Sequence, residues 1–337
     1  MKIYILNNSG FGLDIINELK KKIKLSGIIG LRKSKFSQKI ESFVDQNKFC
    51  KKNKINYIEI EKYNFSEQDL KKIKNLNIDI LVILGWQRLV PKGLLQHVRY
   101  NTIGIHGSPF KINLGRGRSP QNWSIILGLK KFYLSIFKVD PGIDSGDIIS
   151  TKKFLISPFD DISSSYLKTA ILGAELLIDF LKNKKKYKLK KFKKQNNKIA
   201  RYFPQRVAED GMIDWNRNAK EIYDFTRALT LPYPCAFTLY KNKKIKIIKC
   251  IPFEIELNKK NVIKPGTIIK IFSNNNILVQ ANKSFILVQN YIPNNINFDE
   301  GNFFKNAIFK EQIKSIINRH KRKHKSKIIN DRLRDEV

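Results

Sequence analysis

The first half of the chain alternates short apolar runs with amphipathic stretches, and much of the second half is a series of short strand-like runs. Met1 to Leu6 reads as a strand entering the turn Asn7-Asn8-Ser9-Gly10-Phe11-Gly12, after which Leu13, Ile16 and Leu19 recur at helical spacing. Tyr100 to Ile105 and Phe132 to Val139 are rich in Ile, Val, Phe and Tyr and lead quickly into Gly or Pro, so both read as buried strands. Between them a helix is expected to open at Ser119-Pro120, a hydroxyl cap followed by the helical position that tolerates proline, and to stop at Gly128. Strand, helix and strand predict a βαβ unit with parallel strands, whose ligands bind outside the carboxyl ends.

From Lys182 to Asn197 the periodicity collapses into KNKKKYKLKKFKKQNN, which reads as a basic linker. Beyond it a short helix is expected at Ala219 to Ala228. Five strands follow at Ala236 to Tyr240, Ile245 to Pro252, Gly266 to Phe272, Ile277 to Ala281 and Phe285 to Tyr291, enough for a small barrel. The expected organisation is α/β: a Rossmann-like, mostly parallel sheet over 1–181, a linker over 182–199, a barrel-like domain over 200–300 and a charged, helical or disordered tail over 301–337. The turn after the first strand lacks a full GxGxxG, so no dinucleotide site is assigned.

At 337 residues and 42% apolar content the chain suits about two globular domains. The first strand is too short for a secretory signal, and no run approaches the ~18 apolar residues of a spanning helix, so a cytoplasmic protein is expected. Cys50, Cys235 and Cys250 form no CxxC pair, and His320 and His324, four apart, have no further ligands nearby in sequence, so neither a disulfide framework nor a metal site is expected. The formal charge is +36, from 65 Lys and Arg against 29 Asp and Glu. Such an excess invites a polyanion such as RNA, because lysines that neutralise phosphates release condensed counterions. The same lysine, isoleucine and asparagine richness is also what a strongly AT-biased genome writes everywhere.

His106 in His-Gly-Ser and Asp144 in Gly-Ile-Asp-Ser-Gly-Asp stand at the ends of the two strand-like runs around the expected helix. A neutral imidazole can take a proton from an attacking amine and return it to a leaving group, since its ordinary pKa of about 6.5 is near working pH. A carboxylate beside it can hold the ring's tautomer.

The ordered series His-Gly-Ser, Gly-Arg-Gly-Arg-Ser-Pro, Asp-Ser-Gly-Asp and Asp-Gly-Met-Ile-Asp-Trp resembles the folate-dependent formyltransferases, the superfamily of the methionyl-tRNA and nucleotide-sugar N-formyltransferases. Leu81 to Pro91 (LVILGWQRLVP) resembles that family's strand and folate-side loop, and Ala200 to Thr238 resembles the opening of its C-terminal domain, so most of residues 1–290 is covered. The resemblance implies formyl transfer from the co-substrate N10-formyltetrahydrofolate to a primary amine through a tetrahedral intermediate, with no metal. It assigns catalysis to His106 and Asp144. Gly85, Trp86, Leu89 and Val90 become the folate contacts, with a core role for Trp86 left open. Ser108, Arg116, Arg118 and Asn122 are read as acceptor contacts; the guanidinium groups of the two arginines can fork onto phosphate or carboxylate oxygens, with plain solvation of the loop left open. It also implies a C-terminal barrel of the oligonucleotide-binding shape.

One family residue is missing. The usual asparagine two positions before the histidine is Gly104 here, and His106 itself, the Gly107 N–H or Asn122 are the candidate replacements. Gly-Arg-Gly-Arg-Ser-Pro-Gln-Asn-Trp resembles the sugar enzymes more than the tRNA enzymes. The acceptor read from the motif is therefore a nucleotide-linked amino sugar, with initiator methionyl-tRNA as the alternative and an inactive RNA-binding relative as a third reading. No membrane partner is expected, and a homodimer stays open.

Overall fold

The computed structural model describes residues 1–40, 43–183, 192–256, 263–325 and 327–336. In chain order it contains β1 (Ile3–Asn7), α1 (Gly10–Leu19), β2 (Gly27–Leu31), α2 (Asn47–Lys52), β3 (Tyr57–Ile60), α3 (Glu67–Lys74), β4 (Ile80–Leu84), α4 (Lys92–His97), β5 (Asn101–Ser108), β6 (Arg116–Gly117), α5 (Pro120–Ile126), β7 (Lys131–Lys138), β8 (Ile148–Leu155) and α6 (Ile162–Lys182). It continues with β9 (Tyr202–Phe203), α7 (Ala219–Leu229), β10 (Ala236–Tyr240), β11 (Lys243–Phe253), β12 (Ile268–Ile271), β13 (Ile277–Ala281), β14 (Ser284–Ile292), α8 (Phe309–Lys323) and α9 (Asp331–Arg334). The chain divides into two compact units, one of Met1–Arg116, Lys131–Phe154 and Tyr166–Ala200, the other of Gly117–Lys130, Leu155–Ser165 and Arg201–Val337. Much of the expected basic linker, residues 184–191, lies outside the described residues.

The first unit is built on a seven-stranded sheet in the order β3-β2-β1-β4-β5-β7-β8. The strands from β3 through β5 are parallel. Their apolar faces are covered on one side by α1 and the later turns of α6, where Ile15, Ile16, Ala170, Ala174 and Leu177 pack on Ile5, Val82, Ile103 and Leu134. Gly173 allows this closeness, since a Cβ there would stand 3.2 Å from Ile15 and 3.3 Å from Ile105. A second cluster, with Leu6, Ile29, Leu81, Tyr63, Phe65 and Trp86, fills another part of the unit.

The expected parallel βαβ unit is corrected here. β7 runs antiparallel to β5, with Gly104 opposite Phe137 and His106 opposite Ser135. The intervening helix α5 belongs to the second unit, where Asn122 Nδ2 donates to the Ala228 carbonyl at 2.7 Å and Trp123 Nε1 to the Pro204 carbonyl at 3.0 Å, so it is not a crossover. Ser119 is not a hydroxyl cap either: its backbone is left-handed at φ 54° and its side chain makes no capping bond, although Pro120 opens the helix and Gly128, at φ +63°, follows its end.

The second unit carries a five-stranded sheet in the order β10-β11-β14-β13-β12. All of its ladders are antiparallel. Its two edges meet through one further segment: Phe303 bridges Thr267 beside β12, and Lys305 bridges Leu239 of β10, which closes the sheet into a small barrel. Trp215 stacks on Phe304 in its interior at 5.5 Å between ring centroids. Cys50, Cys235 and Cys250 are buried free thiols, and burial pushes Cys50 up to about 11 and Cys250 up to about 12. Among the described residues no helix is long and apolar enough to cross a membrane.

Candidate active site

His106 lies near the carboxyl end of β5, and the pleat puts its side chain on the same face as position 104. Its Nε2 stands 2.8 Å from the Gly115 carbonyl oxygen. A carbonyl only accepts, so Nε2 carries the proton and the other nitrogen is left to exchange one. That nitrogen, Nδ1, lies 3.5 Å from Asp144 Oδ2, an ion-pair distance longer than an N–H···O hydrogen bond. The ring is therefore oriented by the Gly115 backbone, a task that the motif alone assigns to Asp144.

Asp144 is brought there by a tight turn between β7 and β8. Asp140 Oδ1 accepts from the Gly142 N–H at 3.0 Å and the Ser145 hydroxyl at 2.5 Å, and the Lys138 N–H donates to the Asp147 carbonyl at 2.9 Å. Gly146 is obligatory in this closure, because a Cβ would fall 1.7 Å from the Lys138 carbonyl oxygen. Asp144 itself is left-handed at φ 48°, a conformation Asp tolerates better than most residues.

Three residues of the expected acceptor set are turned inward. Ser108 is buried, and its hydroxyl accepts from the Phe110 N–H at 3.1 Å. Arg116 is only 1% exposed; its Nη2 donates to Gln195 Oε1 and to Asn197 Oδ1, each at 2.7 Å. Asn122, in the second unit, is buried and held by the Ala228 carbonyl. Arg118 is half-buried in that unit, with its backbone N–H on the Phe203 carbonyl at 3.0 Å.

The expected folate contacts cluster in the turn after β4 and divide by exposure. Gly85 has φ +60°, and a Cβ there would stand 1.8 Å from Ser9 Oγ, so the turn needs glycine for packing within the protein. Trp86 is buried edge-on to Tyr63 at 4.7 Å and tilted against Phe65 at 5.2 Å, with its Nε1 buried and without a hydrogen-bond partner among the described residues. Val90 is buried in the same cluster, while Leu89 is exposed.

Gln195 is the residue that sequence reasoning passed over. Its Nε2 donates to the carbonyls of Asp144, at 2.9 Å, and Gly146, at 2.7 Å. A glutamine in a run of Lys and Asn carries no local signal of such a contact.

Residues 1–181 match the formyl transferase family, and residues 206–302 match the formyl transferase, C-terminal domain. The chain belongs to the formyl transferase family. It is 30% identical over 219 residues to a methionyl-tRNA formyltransferase of Thermodesulfovibrio yellowstonii, spanning 65% of this chain and 67% of the relative. It is 31% identical over 182 residues to that of Citrifermentans bemidjiense, spanning 54% of this chain and 56% of the relative. Among solved structures, WlaRD, a sugar 3N-formyl transferase crystallised in the presence of dTDP and 5-N-formyl-THF, shares the fold with a TM-score of 0.58 at 18% identity over 87% of this chain and 98% of that one.

As a formyltransferase the chain departs from the resemblance at Gly104. A Cβ at that position would meet Phe137 at 2.8 Å and Val139 at 3.0 Å, so the buried Phe137 ring fills the space into which a side chain would project.

Proposed function

We propose that this formyltransferase moves the formyl group of N10-formyltetrahydrofolate to the amine of initiator methionyl-tRNA. The observation that carries the acceptor is the burial of Arg116. The case for a nucleotide sugar rests on the likeness of the Gly115 to Trp123 motif to the sugar enzymes, supported by the expectation that its arginines fork onto phosphate or carboxylate oxygens, and Arg116 faces Gln195 and Asn197 instead. With that support reduced, the relatives matched in sequence, named as methionyl-tRNA formyltransferases, favour tRNA. Exposed Lys243, Lys244, Lys246 and Lys249 along β11 supply a basic strand suited to phosphates. A nucleotide-linked amino sugar is the second reading, favoured by the likeness of residues 115–123 to the sugar enzymes.

In this reading the acceptor nitrogen attacks the formyl carbon, and its proton passes to His106 Nδ1, the ring nitrogen not engaged by Gly115, before moving to the departing folate nitrogen. Asp144 stabilises the imidazolium formed on the way. No asparagine at position 104 supports the developing oxyanion, and two candidate substitutes, His106 Nε2 and Asn122 Nδ2, already donate to carbonyls. Loss of one such donor typically slows turnover ~100- to 1,000-fold, so a slow enzyme is expected.

The test is tetrahydrofolate release from N10-formyltetrahydrofolate with charged initiator methionyl-tRNA, set beside a panel of nucleotide-linked 4-amino sugars. Turnover with tRNA is expected, falling by about 100- to 10,000-fold in His106→Ala with an unchanged melting curve. Turnover with a sugar alone moves the acceptor to the second reading. Undiminished turnover in His106→Ala, or none with any acceptor, overturns the assignment.

A further inference from the structure

Gln195 joins the backbone of the turn on one side of His106 to the side chain of Arg116 on the other. Its amide nitrogen binds the carbonyls of Asp144 and Gly146, the turn that presents the carboxylate to Nδ1. Its amide oxygen accepts from Arg116 Nε at 3.2 Å and Nη2 at 2.7 Å, and Arg116 directly follows Gly115, whose carbonyl holds Nε2. Lys193, two residues earlier, is pinned to Ile148 by a reciprocal pair of backbone hydrogen bonds, both 2.9 Å, which sets Gln195 beside the turn.

Both ring nitrogens of His106 thus face groups linked to one glutamine side chain, the Asp144 turn through its backbone carbonyls and Gly115 through the guanidinium of the residue that follows it. Donor and acceptor ends of that amide are matched: two carbonyls meet the NH2, and a guanidinium meets the oxygen. An amide is suited to this place, because a carboxylate would set oxygen against the two carbonyls and an apolar side chain would leave them and Arg116 short of partners.

We propose that Gln195, braced by Arg116, is a positioning residue that sets Asp144 and the Gly115 carbonyl on the two edges of the His106 ring. This rests on the reading of His106 and Asp144 as the catalytic pair. Gln195 touches neither folate nor acceptor in this role; it acts through the distance between Asp144 and Nδ1. A displacement of about 1 Å at such a pair can reduce turnover ~100-fold.

The experiment has two readouts on the full chain. The first is a double-mutant cycle with Gln195→Leu and Asp144→Asn. Gln195→Leu is expected to lower kcat about 10- to 100-fold with KM for folate and acceptor within about twofold, and to have little further effect once Asp144 is Asn, because both changes remove one function. Additive losses, or a change confined to KM, overturn the proposal. The second needs no turnover: 15N spectra of the histidine rings, with His106 assigned by His106→Gln. The Nε2-protonated ring is expected in the parent protein and a mixed or broadened signal in Gln195→Leu. A His106 signal that Gln195→Leu leaves unchanged overturns the proposal whatever the acceptor. A signal that responds in a protein with no transferase activity sinks the functional reading and upholds the positioning. Gln195→Glu, which keeps the acceptor for Arg116 and loses the donor to the two carbonyls, should reproduce the loss if Gln195→Leu folds poorly.

Discussion

At the end of β4 the chain turns on Gly85 and is held by apolar packing, with Trp86 wedged between Tyr63 and Phe65 and Val90 buried behind them. At the end of β7 it turns through Asp144 and is held by polar contacts: Asp140 to Gly142 and Ser145, Gln195 to Asp144 and Gly146. The first turn places its large side chains inward and leaves Leu89 as its exposed apolar residue. The second fixes its backbone and keeps the Asp144 carboxylate on the imidazole. Apolar packing resists displacement because every shift opens a void, whereas a hydrogen-bonded turn is specified by a few directional contacts and can be detuned by removing one. The first turn should therefore respond to substitution mainly in stability and the second mainly in rate.

The largest effect expected from that contrast is at Trp86. Trp86→Ala should lower stability by about 3–5 kcal/mol in denaturant unfolding. Trp86→Phe, which keeps most of the ring and removes an N–H that has no partner among the described residues, should stay within about 1.5 kcal/mol of the parent. A Trp86→Ala protein of normal stability with weakened folate binding would make the residue a ligand wall and end the contrast.

Gly85→Ala comes next. The overlap with Ser9 and the positive φ together should destabilise by about 2–3 kcal/mol, read as a lowered unfolding midpoint, and the activity of the folded fraction should be retained. The smallest stability change is expected at the other turn. Asp140→Ala should remove about 1–2 kcal/mol while reducing kcat tenfold or more, as the turn loosens around Asp144. A loss of rate no greater than the loss of folded protein would show that the second turn is held by packing as well.

Much of the architecture is written locally. The five barrel strands are visible as alternating or continuous apolar runs, since the pleat or the burial of each strand is encoded in its own residues; Ala236–Tyr240 and Ile277–Ala281 are strands as read. The helix Ala219–Leu229 likewise carries its start in Asn218 and Glu221, which form a capping box. His106 and Asp144 stand out because a lone histidine and a glycine-flanked aspartate in the resembling motif are rare enough to notice, and they do lie together.

What the chain could not announce depends on neighbours distant in sequence. β7 pairs antiparallel with β5, and no residue within β7 encodes that direction. Arg116 looks like a phosphate ligand until Gln195 and Asn197 take its guanidinium, and Gln195 looks like linker until its amide meets two carbonyls some fifty residues earlier in the chain. Gly104 looks like a lost catalytic residue, and only the antiparallel pairing with Phe137 tells why a side chain has no room there. Periodicity and turn chemistry are properties of a few consecutive residues, so sequence alone picked out the first strand and helix, the runs of β5 and β7, the helix Ala219–Leu229 and the barrel strands, and singled out His106 and Asp144 as candidates. Strand direction, burial of polar side chains and the orientation of the imidazole are relations between segments, and these were decided only by the tertiary structure that brings the segments into contact.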